Sequence, residues 1–488
     1  MRSFNFKLFT AVTVILSPLI ALAQETTTPP ARAARPPRPA PVETTPVALR
    51  PDIKVERYMA IGPKAVRLLV QPNTGEFYYT NFDGGVFRVN TSSGSPVSEQ
   101  ILSAADHGIT RLQGAIFAGN NLFLCGNISV NNGKGNKGRM VRFNIKPSGK
   151  PEMSVVFNTV EYGTNATTFD HGWNALEVSP DGKYIYANTG ARTDHGEVQD
   201  NRGAYPNARD NALTSKIFRI PADAKDLELP DDVAKLKADG FIYAEGIRNA
   251  YDIAFDASNN LFAVVNSSDY DHNEDMFWIR QGHHYGFPWV MSGMENPQQY
   301  PDWKPDPNTD PFIPRSAHAW AVKYFRNDPE FPKIPENVKF TTGVQNVGPD
   351  ANEYRGHSGK VMDGDNTGVT TSTFTPHSSP LGLVFDKQKV LAGDLKGTGF
   401  VLRNSLGARS SMMKPFTDQG RDLLHLQMTY NPLTDNYFVK TTRIADSFNN
   451  PTDAVLVGNE LYIIEYGNVS GSIWKLTLPG IAKAKKKK

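Results

Sequence analysis

From Asp52 to Pro479 the apolar positions come in short alternating runs broken by Gly, Asn, Asp or Pro, and no stretch sustains a 3.6-residue period. The runs recur as a unit: an apolar strand, a turn carrying Gly or Asn, a second apolar strand, and often a third that ends beside Arg or Lys. Arg67–Thr80 with Gly85–Val89 reads as the first unit, Gly114–Leu124 with Arg139–Phe143 as the second, and Ala175–Tyr186 with Ser215–Ile220 as the third. Tyr251–Asp256 with Asn260–Val265 reads as the fourth, Leu381–Phe385 with Val390–Asp394 as the fifth, and Thr452–Ile464 with Ser472–Leu476 as the sixth. Sheets of this size cannot bury both faces alone, so the pattern predicts one all-β domain over 51–480, a six-bladed β-propeller. The strand Ile53–Tyr58 is expected to pair into the last blade and close the ring. Two inserts interrupt the repeat: a polar one from Asp194 to Asn211, and a longer one between Pro288 and Ser378 that carries Trp303, Trp320 and Tyr324. Long inserts on a rigid ring build binding faces.

Composition adds the boundaries. Residues 1–23 have a short basic start, an apolar run and Ala21-Leu22-Ala23, the pattern of a cleavable secretory signal. No later run is long and apolar enough for a membrane span, which points to an exported protein, periplasmic or extracellular. Residues 24–50 are rich in Thr, Pro, Ala and Arg and read as a disordered linker. Residues 481–488 form a basic tail. The formal net charge of +2 does not indicate a nucleic-acid partner. Cys125 is the only cysteine, so no internal disulfide is available, and its apolar neighbours mark it as a core thiol. The absence of Cys-x-x-Cys-His leaves no fused haem to receive electrons.

Chemistry concentrates in three stretches: Asp170-His-Gly-Trp-Asn…Pro-Asp-Gly-Lys-Tyr, Gly246-Ile-Arg-Asn before a strand, and Asp269-Tyr-Asp-His-Asn-Glu-Asp275 followed by Gly282…Pro288. A fourth is Pro376-His-Ser-Ser-Pro-Leu-Gly. Together they resemble the glucose/sorbosone dehydrogenase family, soluble six-bladed quinoprotein sugar dehydrogenases that carry pyrroloquinoline quinone (PQQ) and calcium. The resemblance spans most of residues 55–478. It implies a sugar or polyol substrate and an external electron acceptor. It also implies His171 as the base that takes the hydroxyl proton. Arg248, Asn249, Lys396 and His377 would hold PQQ, an arginine suiting its carboxylates bidentately. Oxygens of Ser267, Ser268 and Asp269 would meet calcium, and the every-second-residue series Asp269, Asp271, Asn273, Asp275 extends that set. Departures accompany the likeness. Ala191 stands where relatives carry an acid, leaving Asp194 or Glu197 as substitutes, and the basic residues of the fifth blade reduce to Lys396, with Arg403 beyond.

Two other readings stay open at this level. One is a metal-dependent lactonase or other hydrolase, with Asp83, Glu177 and Asp453 as axial ligands. The other is a non-catalytic propeller that binds glycan or protein through the Trp303–Tyr354 insert, because one scaffold hosts unrelated functions.

Overall fold

The computed structural model describes residues 44–92, 94–145, 151–164, 167–199, 209–368 and 370–481. The signal segment 1–23, residues 24–43 of the linker and residues 482–488 of the tail lie outside the described residues. Six antiparallel-cored sheets follow one another along the chain. Their innermost strands are Ala65–Val70, Arg111–Ala118, Trp173–Val178, Ala250–Phe255, Pro380–Phe385 and Pro451–Val457. Each packs on the next, and the sixth returns to the first, so the fold is the six-bladed β-propeller that the alternation predicts. Strands in the middle of a blade are apolar on both faces because neighbouring blades cover both: every residue of Leu261–Val265 is buried. Cys125 is fully buried in the core between the second and third blades with Phe157, Trp173 and Phe218, and burial pushes its thiol far up.

The ring closes with the N-terminal strand. Lys54–Ile61 pairs antiparallel with Gly471–Thr477, from Lys54 opposite Thr477 to Ile61 opposite Gly471, as the outermost strand of blade 6. The predicted linker is structured before residue 50, since Val47–Ala48 pairs with Ala445 and Asp446 at the edge of blade 5. Blade 5 also corrects the sequence reading. Its second strand is Gly399–Arg403, not Val390–Asp394. The Asp386 carboxylate accepts the N–H groups of Val390, Leu391 and Gly397, which folds that apolar run back as a loop.

At the axis stands Arg67, 3 % exposed. Its Nε donates to Gln113 O of blade 2 at 2.8 Å, and its Nη2 donates to Tyr251 O of blade 4. Its Nη1 lies 3.4 Å from Asp252 of blade 4 and 3.9 Å from Asp453 of blade 6. The carboxylates also cross between blades: Asp252 accepts Leu383 N of blade 5, and Asp453 accepts Leu68 N of blade 1, both at 2.8 Å. Around them opens a funnel of about 560 Å³ that also includes Glu177, paired at 3.3 Å with Lys387. Glu177 and Asp453, read as lactonase ligands, therefore both line the funnel, but Asp453 faces Arg67 and Glu177 pairs with Lys387. Asp83 is elsewhere, exposed and paired with Lys64.

Removing Arg67 leaves two buried carboxylates without their cation, so Arg67→Met is expected to cost about 3–5 kcal/mol in urea unfolding. Burial, opposed by Arg67, pushes Asp453 up to about 7, and burial does the same to Asp275. A carboxyl raised in the folded state holds its proton there longer than in the unfolded chain. Its contribution to stability is thus full below about pH 4 and is lost as pH rises through 7. The urea midpoint should fall between pH 5 and 8, and Asp453→Asn should flatten that slope in part. A slope identical in the variant rules out the assignment to Asp453.

Candidate active site

Segments that enter the innermost strands of blades 3, 4 and 5 meet at the end of the ring opposite the Arg67 funnel. They line a cleft of about 630 Å³ with Thr168, Phe169 and His171, with Arg248, and with His377 and Ser379. The loop between the second and third strands of blade 4 adds Asn266, Ser267, Ser268, Asp269 and Glu274. The corresponding loop of blade 5 adds Asn404, Ser405, Leu406, Ser410, Met412 and Arg421.

His171 is packed against a glycine by necessity. A Cβ on Gly190 would fall 2.6 Å from the His171 Cβ and 2.8 Å from Asn249 Oδ1. The backbone N–H of His171 donates to Ala191 O at 3.0 Å, and ring Nδ1 lies 3.3 Å from the same oxygen. A carbonyl only accepts, so Nδ1 carries hydrogen and Nε2 keeps its lone pair. Burial, and then the charge of Arg248, hold this imidazole down to about 3, neutral at any working pH.

Neither proposed acid substitutes for the one missing at Ala191. Asp194, fully buried, accepts Arg248 Nη2 at 2.9 Å and His195 Nδ1 at 3.0 Å. Glu197 accepts the backbone N–H groups of Asp194 and His195. Arg248 is held as a strut. Its Nε donates to Asp194 O at 2.6 Å and its Nη1 to Asn266 O at 2.9 Å, leaving one N–H on each terminal nitrogen. Asn249 lies behind the cleft wall, accepting from Asn174 at 2.8 Å. Lys396 is exposed, just past the turn Gly393–Leu395, and does not line the cleft. Arg403 is fully buried between Asp418 and Asp422.

The structure does not gather the acidic series into a metal shell. Asp269 accepts Ala319 N at 2.7 Å. Asp271 accepts Arg355 Nε at 2.6 Å and His377 Nε2 at 2.7 Å, one on each oxygen. Asn273 donates to Phe374 O and Glu353 O. Asp275 opens the third strand of blade 4, where Ser372 Oγ and Ser292 N occupy its oxygens. Ser268 Oγ accepts Tyr270 N, whereas Ser267 Oγ is buried without a partner. Among the described residues no three His, Cys, Asp or Glu side chains are grouped to hold a metal. The side chains of Asp269, Asp271, Asn273 and Asp275 are thus committed within the protein and as a set do not fit calcium.

Sequence reasoning missed Arg421. It is half-buried in the cleft wall, its Nε has no partner, and its Nη2 donates to Asn450 Oδ1 at 3.2 Å. The signal was present: Gly420-Arg421 precedes the strand Asp422–Asn431 much as Gly246-Ile-Arg248 precedes Ala250–Phe255. Glu274 was also missed as a cleft residue; it accepts Ser267 N at 2.6 Å, and burial raises its carboxyl. The long insert adds His318, exposed at the rim beside Phe169 at 5.7 Å between ring centroids. Behind it Phe312, Ile313, Phe325 and Trp303 pack with Phe169 and Tyr270. The tryptophan region therefore builds a wall of the cleft.

The glucose/sorbosone dehydrogenase family matches residues 59–323, more than half of the chain. The fold is a six-bladed propeller, and the chain belongs to the glucose/sorbosone dehydrogenase family. Solved structures of like fold include an oxidoreductase described as a glucose dehydrogenase from Thermus thermophilus. It is 14 % identical with a TM-score of 0.53, covering 87 % of this chain and 99 % of that one. The holo PQQ domain of pyranose dehydrogenase from Coprinopsis cinerea is 12 % identical with a TM-score of 0.54, covering 89 % and 97 %. The soluble aldose sugar dehydrogenase of Escherichia coli, in apo form, is 15 % identical with a TM-score of 0.52, covering 87 % and 99 %. Identities this low make the likeness one of fold. Among curated proteins none matches the chain. Among the described residues no helix is long and apolar enough to cross a membrane.

Because protein groups already occupy the acidic series, EGTA treatment should leave the thermal midpoint within about 2 °C of the untreated protein. A drop that calcium reverses would show a shell that these partners do not exclude, since a ligand bound only to the folded state raises its stability.

Proposed function

We propose that the protein is a quinone-dependent dehydrogenase of an aldose or polyol, exported from the cytoplasm and passing its electrons to an external acceptor. The observation that carries this reading is the cleft itself. In a chain of this family, it brings together a neutral imidazole and two arginines with unspent donors. PQQ is a flat tricarboxylate, and Arg421, half-buried in the cleft wall with its own Nε buried and unpartnered, brings a cation suited to it. Arg248, braced by Asp194, offers its two remaining N–H groups from the other wall. Bound there, PQQ supplies a two-electron acceptor. His171 offers Nε2 as a hydrogen-bond acceptor for a substrate hydroxyl, with the tautomer set by Ala191 O. Ser405, Ser410, Asn404 and Thr168 give the cleft further polar groups for a polyhydroxylated substrate. The insert places His318 at the rim of the cleft beside Phe169. No step of this reading passes through a metal.

The test is titration of the apo-protein with PQQ, followed by absorbance, and a dye-linked assay against aldoses and polyols. Stoichiometric uptake is expected, with dye reduction at sub-saturating substrate that drops in His171→Ala. Arg421→Met should weaken PQQ binding by about tenfold or more, the loss of one charge-assisted hydrogen bond. A folded protein that takes up no PQQ overturns the reading and favours a binding propeller.

A further inference from the structure

This inference rests on the dehydrogenase reading of the cleft. Three imidazoles line the cleft; His318 stands at the exposed rim, and the other two, His171 and His377, are not equivalent. His171 has a peptide carbonyl behind it, 3.3 Å away, and Asp194 and Glu197 are committed to Arg248, His195 and backbone N–H groups. A carbonyl sets a tautomer, but it does not stabilise an imidazolium as a carboxylate does.

His377 has the carboxylate that His171 lacks. Its Nε2 lies 2.7 Å from Oδ1 of Asp271, which is fully buried, and the other oxygen of Asp271 accepts Arg355 Nε at 2.6 Å. Since the carboxylate accepts, Nε2 carries the hydrogen and Nδ1 keeps a lone pair. The ring is presented by a backbone that non-glycine residues rarely adopt: φ is 60° at His377 and 52° at Ser379. Such conformations cluster at functional sites. The Arg355–Asp271–His377 chain crosses from the long insert, through the blade 4 loop, to the entry of blade 5.

We propose that His377, oriented by Asp271, takes the hydroxyl proton of the substrate, and that His171 positions that hydroxyl as a neutral hydrogen-bond acceptor. The O–H bond of the carbinol breaks and its proton passes to Nδ1 of His377. The C–H bond breaks and hydrogen leaves with its electron pair to the quinone-class acceptor, while the carbon–oxygen double bond forms. The substrate is oxidised by two electrons and the acceptor is reduced by two. The groups facing His377 agree with this division. Burial alone would lower its basicity, but Asp271, Asp269 and Glu274 outweigh burial and raise it. Buried His272 adjoins the same cluster, and Arg355 stands behind Asp271. The acid limb of the pH profile should therefore belong to His377, with activity rising as that ring loses its proton. Asp271→Asn should move the limb to lower pH.

The test compares H377N and H171N with wild type, because H377N leaves the Asp271–Arg355 pair intact even if D271N fails to fold. H377N should still take up PQQ, lose about 10²-fold or more in kcat, and lose the acid limb. H171N should keep the limb and show its loss mainly in KM. In apo-protein carrying ¹³C-labelled histidine, the NMR resonance absent from H377N should titrate above a free imidazole. An H377N enzyme with an unchanged acid limb overturns the assignment, and so does a His377 resonance that titrates below a free imidazole. Failure of the wild type to take up PQQ at all is a different outcome: it overturns the dehydrogenase reading, and this assignment with it.

Discussion

The Arg67 guanidinium ties the ring together at the point where no strand-to-strand hydrogen bond can. Neighbouring blades meet face to face, and apolar packing between faces is non-directional, so it sets their separation more firmly than their register. Arg67 supplies direction. It reaches carbonyls on blades 2 and 4 and carboxylates on blades 4 and 6, and those carboxylates in turn hold backbone N–H groups of blades 5 and 1. A slip of one innermost strand would strand a charge in a dry interior. The cleft inherits this constraint, because His171, Arg248 and His377 each sit at the head of one of these strands. Their mutual placement is only as good as the register of blades 3, 4 and 5.

The cleft shows the same economy of charge at the other end of the axis. Arg248 is neutralised by Asp194 and braced by two carbonyls, which makes it a fixed donor. Arg421 keeps an unspent donor. Asp269 and Glu274 are raised by burial, and both in turn raise the basicity of the His377 imidazole.

Much of this was legible in the chain. Alternation located the blades, and the strand around Ile53–Tyr58 announced closure. Gly246-Ile-Arg248 and Pro376-His377 marked cleft residues because a small or rigid residue before a strand aims the next side chain at the ring's end. Other features were invisible for physical reasons. The Val390–Asp394 run is as apolar as a strand, and only the three N–H bonds to Asp386 make it a loop. The spacing of Asp269 to Asp275 looks like a metal loop, yet partners distant in sequence, Ala319, Arg355, His377, Phe374 and Ser372, claim the side chains of Asp269, Asp271, Asn273 and Asp275. Lys396 and Arg421 are both basic residues of blade 5, and only the fold shows which faces inward.

The sheet that joins Lys54–Ile61 to Gly471–Thr477 makes the two ends of the domain a single cooperative unit. During synthesis the first strand waits, unpaired, until the last one exists. The intervening blades must therefore tolerate an open ring with two bare edges. Once closed, the seam joins the most distant parts of the chain, so unzipping at either terminus releases both. The lifetime of the folded protein is set where its beginning meets its end.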